Sequence, residues 1–342
     1  MLNFSGQKLF WIFLIPALGI IFFIGSSFLN RPEVIEITSQ PSQISTSTPE
    51  KEKSITIILV GDIIFNRGVE YMIEKVGKGD FKFPFLKIAD GLKGARLLFG
   101  NLEGPISDKG ERVGSIYSFQ NDSKSIEGLT YAGFDILSLA NNHAFDYGRE
   151  ALEDCLAKLS NAGIDYIGAG LDKNEAYSPI IKEINGTKIA FLAYTNLGPE
   201  TWKATGINSG IAWISEKNFE RIKGEIENAK SKVDILIVSL HSGEEYLSEP
   251  TQFQIDFSKM AIGAGADLVI GHHSHVVQPN EKYNSGYIFY SLGNFIFDQD
   301  FSKETMKGQM VEVLIENNKI KGVNPINIKI NNFFQPEIEN GK

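Results

Sequence analysis

The chain has 342 residues, with 33 Lys and Arg against 42 Asp and Glu, giving a formal charge of −9. That balance argues against a non-specific nucleic-acid binder, which needs a basic face to displace counterions. Hydrophobic residues make up 42% and charged residues 22%, as in a folded globular protein. The single cysteine, Cys155, rules out an internal disulfide.

Residues 1–8 read as a short cytoplasmic N-terminus. From Leu9 to Leu29 the sequence LFWIFLIPALGIIFFIGSSFL carries no charge, and about 20 apolar helical residues cross the hydrocarbon layer. Lys8 precedes the run and Trp11 sits near its edge. The positive-inside rule then puts the N-terminus in the cytoplasm and the bulk of the chain outside. A cleaved signal peptide is the alternative, but its apolar region is usually shorter and ends in a small-x-small site. Gly25-Ser26-Ser27 is a poor version of that site. The expectation is a single-pass anchor in the cell membrane with an extracytoplasmic C-terminal domain. Residues 30–53 are rich in Ser, Thr, Pro and charge, hold no apolar period and read as a linker. The folded domain therefore spans residues 54–342.

Within it, short apolar runs end abruptly in polar motifs. ITIILV leads to Gly61-Asp62, ARLLF to Gly100-Asn101-Leu102-Glu103, and FDILSLA to Asn141-Asn142-His143. VDILIVSL leads to His241, ADLVI to Gly271-His272-His273-Ser274-His275, and YIFYSL to Gly293-Asn294. Runs without polar alternation predict strands covered on both faces. Residues 147–162 predict an amphipathic helix that ends at Gly163 and buries Cys155. Residues 215–230 and 250–264 predict two more, with Pro250 at the first helical position. KEINGTKIAF, with its Asn-Gly turn, and MVEVLIENNKIKGVNPINIKI predict hairpins. The fold class is α/β: mixed sheets, compatible with two stacked sheets, with helices packed outside. Ligands of such sheets bind beyond the carboxyl ends of strands, where the motifs lie.

All five histidines fall at or just beyond these predicted strand ends. Imidazole is the commonest protein metal ligand, and a loop at a strand end can aim it. His273 and His275 form an HxH pair, whose rings point the same way if the segment is extended. Asp62, Glu103, Asn142 and His241 add oxygen and nitrogen donors. This mixed set suits one or two divalent ions, Mn²⁺, Fe or Zn²⁺ rather than Ca²⁺, and a carboxylate such as Glu103 can bridge two ions. Taken singly, Asp62 and Asn142 also fit helix caps or turns.

These residues resemble the motifs of the CapA family, named for poly-γ-glutamate capsule synthesis. Gly61-Asp62 with Arg67, then Asn101-Leu102-Glu103, resemble its opening motifs. Asn141-Asn142-His143 with Asp146 and Gly148 resembles NNHxxDxG, and His241 with Gly243, Glu245 and Tyr246 resembles HxGxEY. Gly271–His275 resembles GHHPH, and Ser291–Asp298 resembles SLGNFxFD. The matches run in order over about residues 55–300. The family is itself similar to calcineurin-like metallophosphatases, which implies two stacked mixed sheets flanked by helices. The resemblance implies that Asp62 and His275 hold one ion, that Asn142, His241 and His273 hold the other, and that Glu103 lies between them. His143 would protonate the leaving group, with Asp146 orienting it. Arg67 would neutralise a substrate oxygen or else form an ion pair; Glu245 and Asn294 would contact substrate or support the ligands. Ile64 stands where the wider superfamily has a ligating histidine, so the first ion has one protein ligand fewer. Ser242 and Ser274 also depart from the family pattern. Two readings follow: a metal-dependent hydrolase acting on a phosphoester, or an accessory of polymer synthesis and export that binds or processes the polymer. The implied partners are the membrane and polymer-synthesis membrane proteins.

Overall fold

The structure, a computed structural model, describes residues 54–113 and 116–339. The anchor and linker readings fall outside the described residues. Among the described residues, no helix is long and apolar enough to cross a membrane.

In chain order the strands are β1 (Ile55–Ile63), β2 (Leu97–Leu102), β3 (Ile136–Ser138), β4 (Asp165–Ile167), β5 (Ala169–Gly170), β6 (Ile180–Ile184), β7 (Thr187–Thr195), β8 (Gly210–Ile211), β9 (Ile235–His241), β10 (Leu268–His272), β11 (Asn280–Tyr283), β12 (Gly286–Phe289), β13 (Asn294–Ile296), β14 (Lys307–Glu316), β15 (Lys319–Ile330) and β16 (Pro336–Ile338). The helices are α1 (Arg67–Lys75), α2 (Ala89–Leu92), α3 (Ser125–Ala132), α4 (Gly148–Asn161), α5 (Lys173–Tyr177), α6 (Phe219–Lys230) and α7 (Gln252–Gly263).

One large sheet runs β16-β15-β14-β1-β2-β3-β4, with β13 also paired to β1; the other runs β11-β12-β10-β9-β7-β6, and β5 and β8 form a small two-stranded sheet. Both large sheets are mixed. β1 pairs parallel with β2 and antiparallel with β14, while β9 is parallel to β7 and β10 and the edge strands β6 and β11 are antiparallel. The expected hairpins are present. Asn185 and Gly186 turn the first with φ of 53° and 84°, and Asn317 and Asn318 turn the second with φ of 52° and 60°, the left-handed pair of a tight two-residue turn.

Side-chain alternation builds three apolar layers. Ile55, Ile57 and Leu59 of β1 join Phe99 of β2 and Ile189, Phe191, Ile235 and Ile237 of the second sheet in one core between the sheets. Phe99 and Phe191 stack across it with ring centroids 5.7 Å apart. Truncating either ring to alanine would cost about 3–5 kcal/mol. Ile58, Val60 and Leu98 face outward onto Leu129 of α3 and Leu152 and Leu156 of α4. Leu192, Leu236 and Val238 face outward onto Ile222 and Ile226 of α6 and Phe257 of α7. The fold is two stacked mixed sheets flanked by helices, and Cys155 lies on the buried face of α4 as its spacing predicted.

One boundary differs from expectation. Pro250 is not the first helical residue of α7. Thr251 caps that helix: its side chain accepts from Gln254 N–H, and the Gln254 side chain returns to the Thr251 backbone. That reciprocal box satisfies two otherwise unpaired donors and leaves Pro250 one residue outside.

Candidate metal centre

The carboxyl ends of β1 and β2 in one sheet meet those of β9 and β10 in the other. Asp62 sits in register with Asn101, and His241 with His272. Asp62 is fully buried. Its Oδ1 accepts from Asn101 Nδ2 at 2.8 Å and its Oδ2 from the His273 backbone N–H at 3.2 Å. His272 Nδ1 lies 3.3 Å from Oδ1, and His275 Nδ1 3.4 Å from Oδ2. Burial alone would raise this carboxyl; the neighbouring imidazoles of His272 and His275 outweigh it and hold Asp62 well below the usual carboxylate range.

Glu103 follows β2, its N–H bonded to Ile63 O at 2.9 Å. Its carboxylate is fully buried, and neither oxygen has a hydrogen-bond partner. His143 Nε2 lies 3.5 Å from Oε1 and His275 Nε2 lies 3.9 Å from it. Burial pushes this carboxyl up to about 7, against the pull of His275.

The histidines are held by distinct partners. His241 Nε2 is 2.7 Å from Asn142 Oδ1, and its Nδ1 is 3.2 Å from Asn101 Nδ2. His275 Nδ1 is 2.9 Å from Asn294 Oδ1, and Asn294 is itself fixed by donating to Gln299 Oε1 and Thr305 O. His143 Nδ1 is 2.6 Å from Asp146 Oδ2, its backbone N–H bonds Asn141 Oδ1, and its ring stacks on Phe119 at 3.9 Å. Burial and the neighbouring His275 lower His273 to about 3. Burial and His273 likewise hold His241 well below its ordinary value. Burial would also lower His275, but Glu103 and Asp62 raise it to about 9.

The HxH pair converges by a route other than the one its spacing suggested. His273 and His275 have φ of 93° and 57°, so the segment is left-handed at both residues rather than extended. Their rings still approach to 5.9 Å, and the His273 ring lies 4.9 Å from that of His241. Strain of this kind persists where surrounding contacts over-determine the backbone.

Two trios place ligand atoms within 4.8 Å of one another: Asp62, Glu103 and His275, and Glu245, His273 and His275. Asn142 joins through His241. Ile64 is fully buried in the outer apolar core and brings no donor. Arg67 reaches the same cleft, but Asp298 engages its guanidinium, with Nε 3.2 Å from Oδ2. Arg67 also lies over the Phe119 ring at 4.7 Å. The cleft above the cluster measures about 620 Å³, with Arg67, Phe119, His143, Glu245, Tyr246 and His275 among its walls.

Sequence reasoning left three contributors without a role. His272 lies against Asp62, Asn101 links Asp62 to His241, and Asn141 braces the His143 backbone. Each lies within two residues of one that was singled out, which was the available signal. The buried, unpartnered atoms decide whether a cation fits. Both Glu103 oxygens and His273 Nδ1 are without hydrogen bonds, and isolated buried charge is costly unless paired or bound to metal. Oxygen and imidazole donors converging on one volume fit a divalent metal ion.

The family model for the bacterial capsule synthesis protein PGA_cap matches residues 56–299. The chain belongs to this family. The capsule biosynthesis protein CapA of Bacillus anthracis is 31% identical over 287 residues, covering 82% of this chain and 69% of that one. The PGA biosynthesis protein CapA of Bacillus subtilis is 32% identical over 262 residues, covering 76% and 67%. Among solved structures, a hypothetical protein from Thermus thermophilus shares the fold with a TM-score of 0.50, at 15% identity, over 80% of this chain and 99% of that one. The PGA_cap match spans the cluster from Asp62 to Asp298.

Proposed function

We propose that this PGA_cap protein is a metal-dependent hydrolase of the metallophosphatase type, acting on a phosphoester at the outer face of the cell membrane. The observation that carries the reading is Glu103. A fully buried carboxylate with no hydrogen-bond partner, placed between His143 and His275, is a group that a cation would satisfy. Asp62 and His275 would hold one ion and Asn142, His241 and His273 a second, with Glu103 between them. When bound, such ions supply Lewis acidity and make water easier to deprotonate.

The chain's own residues do the rest. Asp146 accepts from His143 Nδ1, which leaves Nε2 facing the cleft. From there His143 delivers a proton to the departing oxygen. Phe119, stacked on the ring, keeps it from turning. Arg67, held by Asp298, presents the remaining guanidinium edge to a substrate oxygen. Asn294 fixes His275 through Nδ1, so its Nε2 faces Glu103.

Leu9–Leu29 would anchor this domain outside the cytoplasm. The names of the relatives support a place in the assembly of poly-γ-glutamate or a related surface polymer, with polymer-synthesis membrane proteins as partners. They equally support a second reading, in which the site binds or processes the polymer without phosphatase activity. The two separate in one assay. The full-length chain in detergent, loaded with Mn²⁺, should hydrolyse a chromogenic phosphodiester, and His143→Ala should lose that activity. Bound Mn²⁺ with no turnover of any phosphoester would give the site to the polymer reading. A chain that binds no divalent ion would overturn the metal-dependent proposal.

A further inference from the structure

Three donors, Asp62, Glu103 and His275, meet on one side of the cluster. Ile64, just past β1, adds nothing, because its side chain is buried in the outer core. Four to six ligands are usual for ions of this class, so the protein or water must complete the shell. One further carboxylate stands at the cleft side. Glu245 has an oxygen within 4.8 Å of a ring nitrogen of both His273 and His275.

The loop carrying Glu245 is tied to those histidines at both ends. Ser242 N–H donates to His272 O at 3.3 Å, and Tyr246 N–H donates to Ser274 O at 2.8 Å. Tyr246 takes a left-handed φ of 67°, and its hydroxyl accepts from Gln299 Nε2 at 3.1 Å. Gln299 in turn accepts from Asn294, which holds His275. Thus the backbone that aims Glu245 and the side chains that aim His275 form one connected frame. His273 is 6% exposed, and its Nδ1 has no hydrogen-bond partner. A buried, unpartnered imidazole nitrogen beside an acidic side chain that reaches solvent offers a cation one dry and one wet side.

We propose that Glu245 is an ion ligand, completing from the cleft side the shell of the ion assigned above to Asn142, His241 and His273, with His275 alongside. The inference rests on the metal-dependent reading above. It gives the centre a ligand from an exposed loop, so that the ion is held from the interior by imidazoles and covered from the cleft by a carboxylate. This differs from a substrate contact, in which Glu245 would affect only substrate binding.

The test is Mn²⁺ titration of the full chain in detergent by calorimetry, with the electron paramagnetic resonance of bound Mn²⁺ recorded alongside. Wild type is compared with Glu245→Ala and Glu245→Gln. One class of Mn²⁺ should weaken by about 10-fold or more in both variants, with an altered resonance signal. Melting in chelator should be unchanged, because Glu245 is exposed. Glu245→Asp should recover part of the affinity. Wild-type Mn²⁺ affinity and stoichiometry in both variants would overturn the inference alone, as would a change confined to KM for a phosphoester. A wild-type chain that takes up no Mn²⁺ would overturn this inference together with the reading it rests on.

Discussion

Asp146 Oδ2 lies 2.6 Å from His143 Nδ1 and also accepts the Phe119 backbone N–H at 2.7 Å. One carboxylate therefore fixes both the ring that faces the cleft and the residue stacked on it. His143→Ala should reduce phosphodiester turnover by about 10²–10⁴-fold, the range typical of a lost general acid. Mn²⁺ content should remain at the wild-type level. Asp146→Asn should give an intermediate loss, since the ring remains but its anchor is uncharged. Steady-state kinetics with parallel metal analysis reads both; equal activity in His143→Ala would remove it from the chemistry.

Ion uptake should be coupled to proton release. His275 is raised to about 9 and Glu103 to about 7 in the metal-free protein. Both must be deprotonated to act as ligands, so affinity should rise with pH. The sign follows from the raised values: a proton competes on His275 throughout the range below about 9, and a second competes on Glu103 below about 7. About one proton should leave per bound ion near pH 8 and closer to two near pH 6. Calorimetry in buffers of different ionisation enthalpy measures this count. A count of zero across the range would contradict the assignment of both ligands.

Glu103 should limit the stability of the metal-free fold. Removing a buried polar group that has no partner relieves its desolvation cost, about 1–3 kcal/mol. Glu103→Leu, close in volume, should therefore melt higher than wild type in chelator and lose the gain in melting temperature that Mn²⁺ gives wild type. A variant that melts lower in chelator would mean that the carboxylate stabilises the metal-free fold through its neighbouring histidines.

His272 should act through Asp62. Its ring is fully buried, with Nδ1 3.3 Å from Asp62 Oδ1, the oxygen turned away from His275. His272→Phe should weaken Mn²⁺ binding by about 10–100-fold, as loss of a group supporting a ligand does, without lowering the number of ions bound. His272→Asn, which keeps a donor, should lie between the two. Loss of one whole ion in His272→Phe would instead make His272 a ligand.

Much of this was legible in the sequence because the strands punctuate it. Each apolar run ends in a polar motif, so the buried cluster of Asp62, Glu103, His241 and His275 was announced by position, and the asparagine turn of KEINGTKIAF announced the first hairpin. What stayed hidden depends on distance along the chain or on backbone conformation. Arg67 and Asp298 pair across 231 residues, and no local pattern announces such a pair. The left-handed backbone at His273 and His275 is imposed by tertiary contacts, so spacing alone suggested an extended segment. His272 was passed over because a histidine beside two others looks redundant until the sheet shows it facing Asp62. Pro250 has the chemistry of a first helical residue, but the Thr251–Gln254 box decides where the helix starts.

The centre stands at the seam between two sheets that share an apolar core. Asp62 belongs to one sheet, and the His273 N–H that it accepts follows directly from the other. An ion gripped by Asp62 and His275 would act as a rivet through that seam. Its binding energy would then also resist separation of the sheets, in proportion to how far ion concentration exceeds the dissociation constant. In such a protein, the supply of divalent ions around the domain would set how stable the fold is as well as whether the cleft is armed.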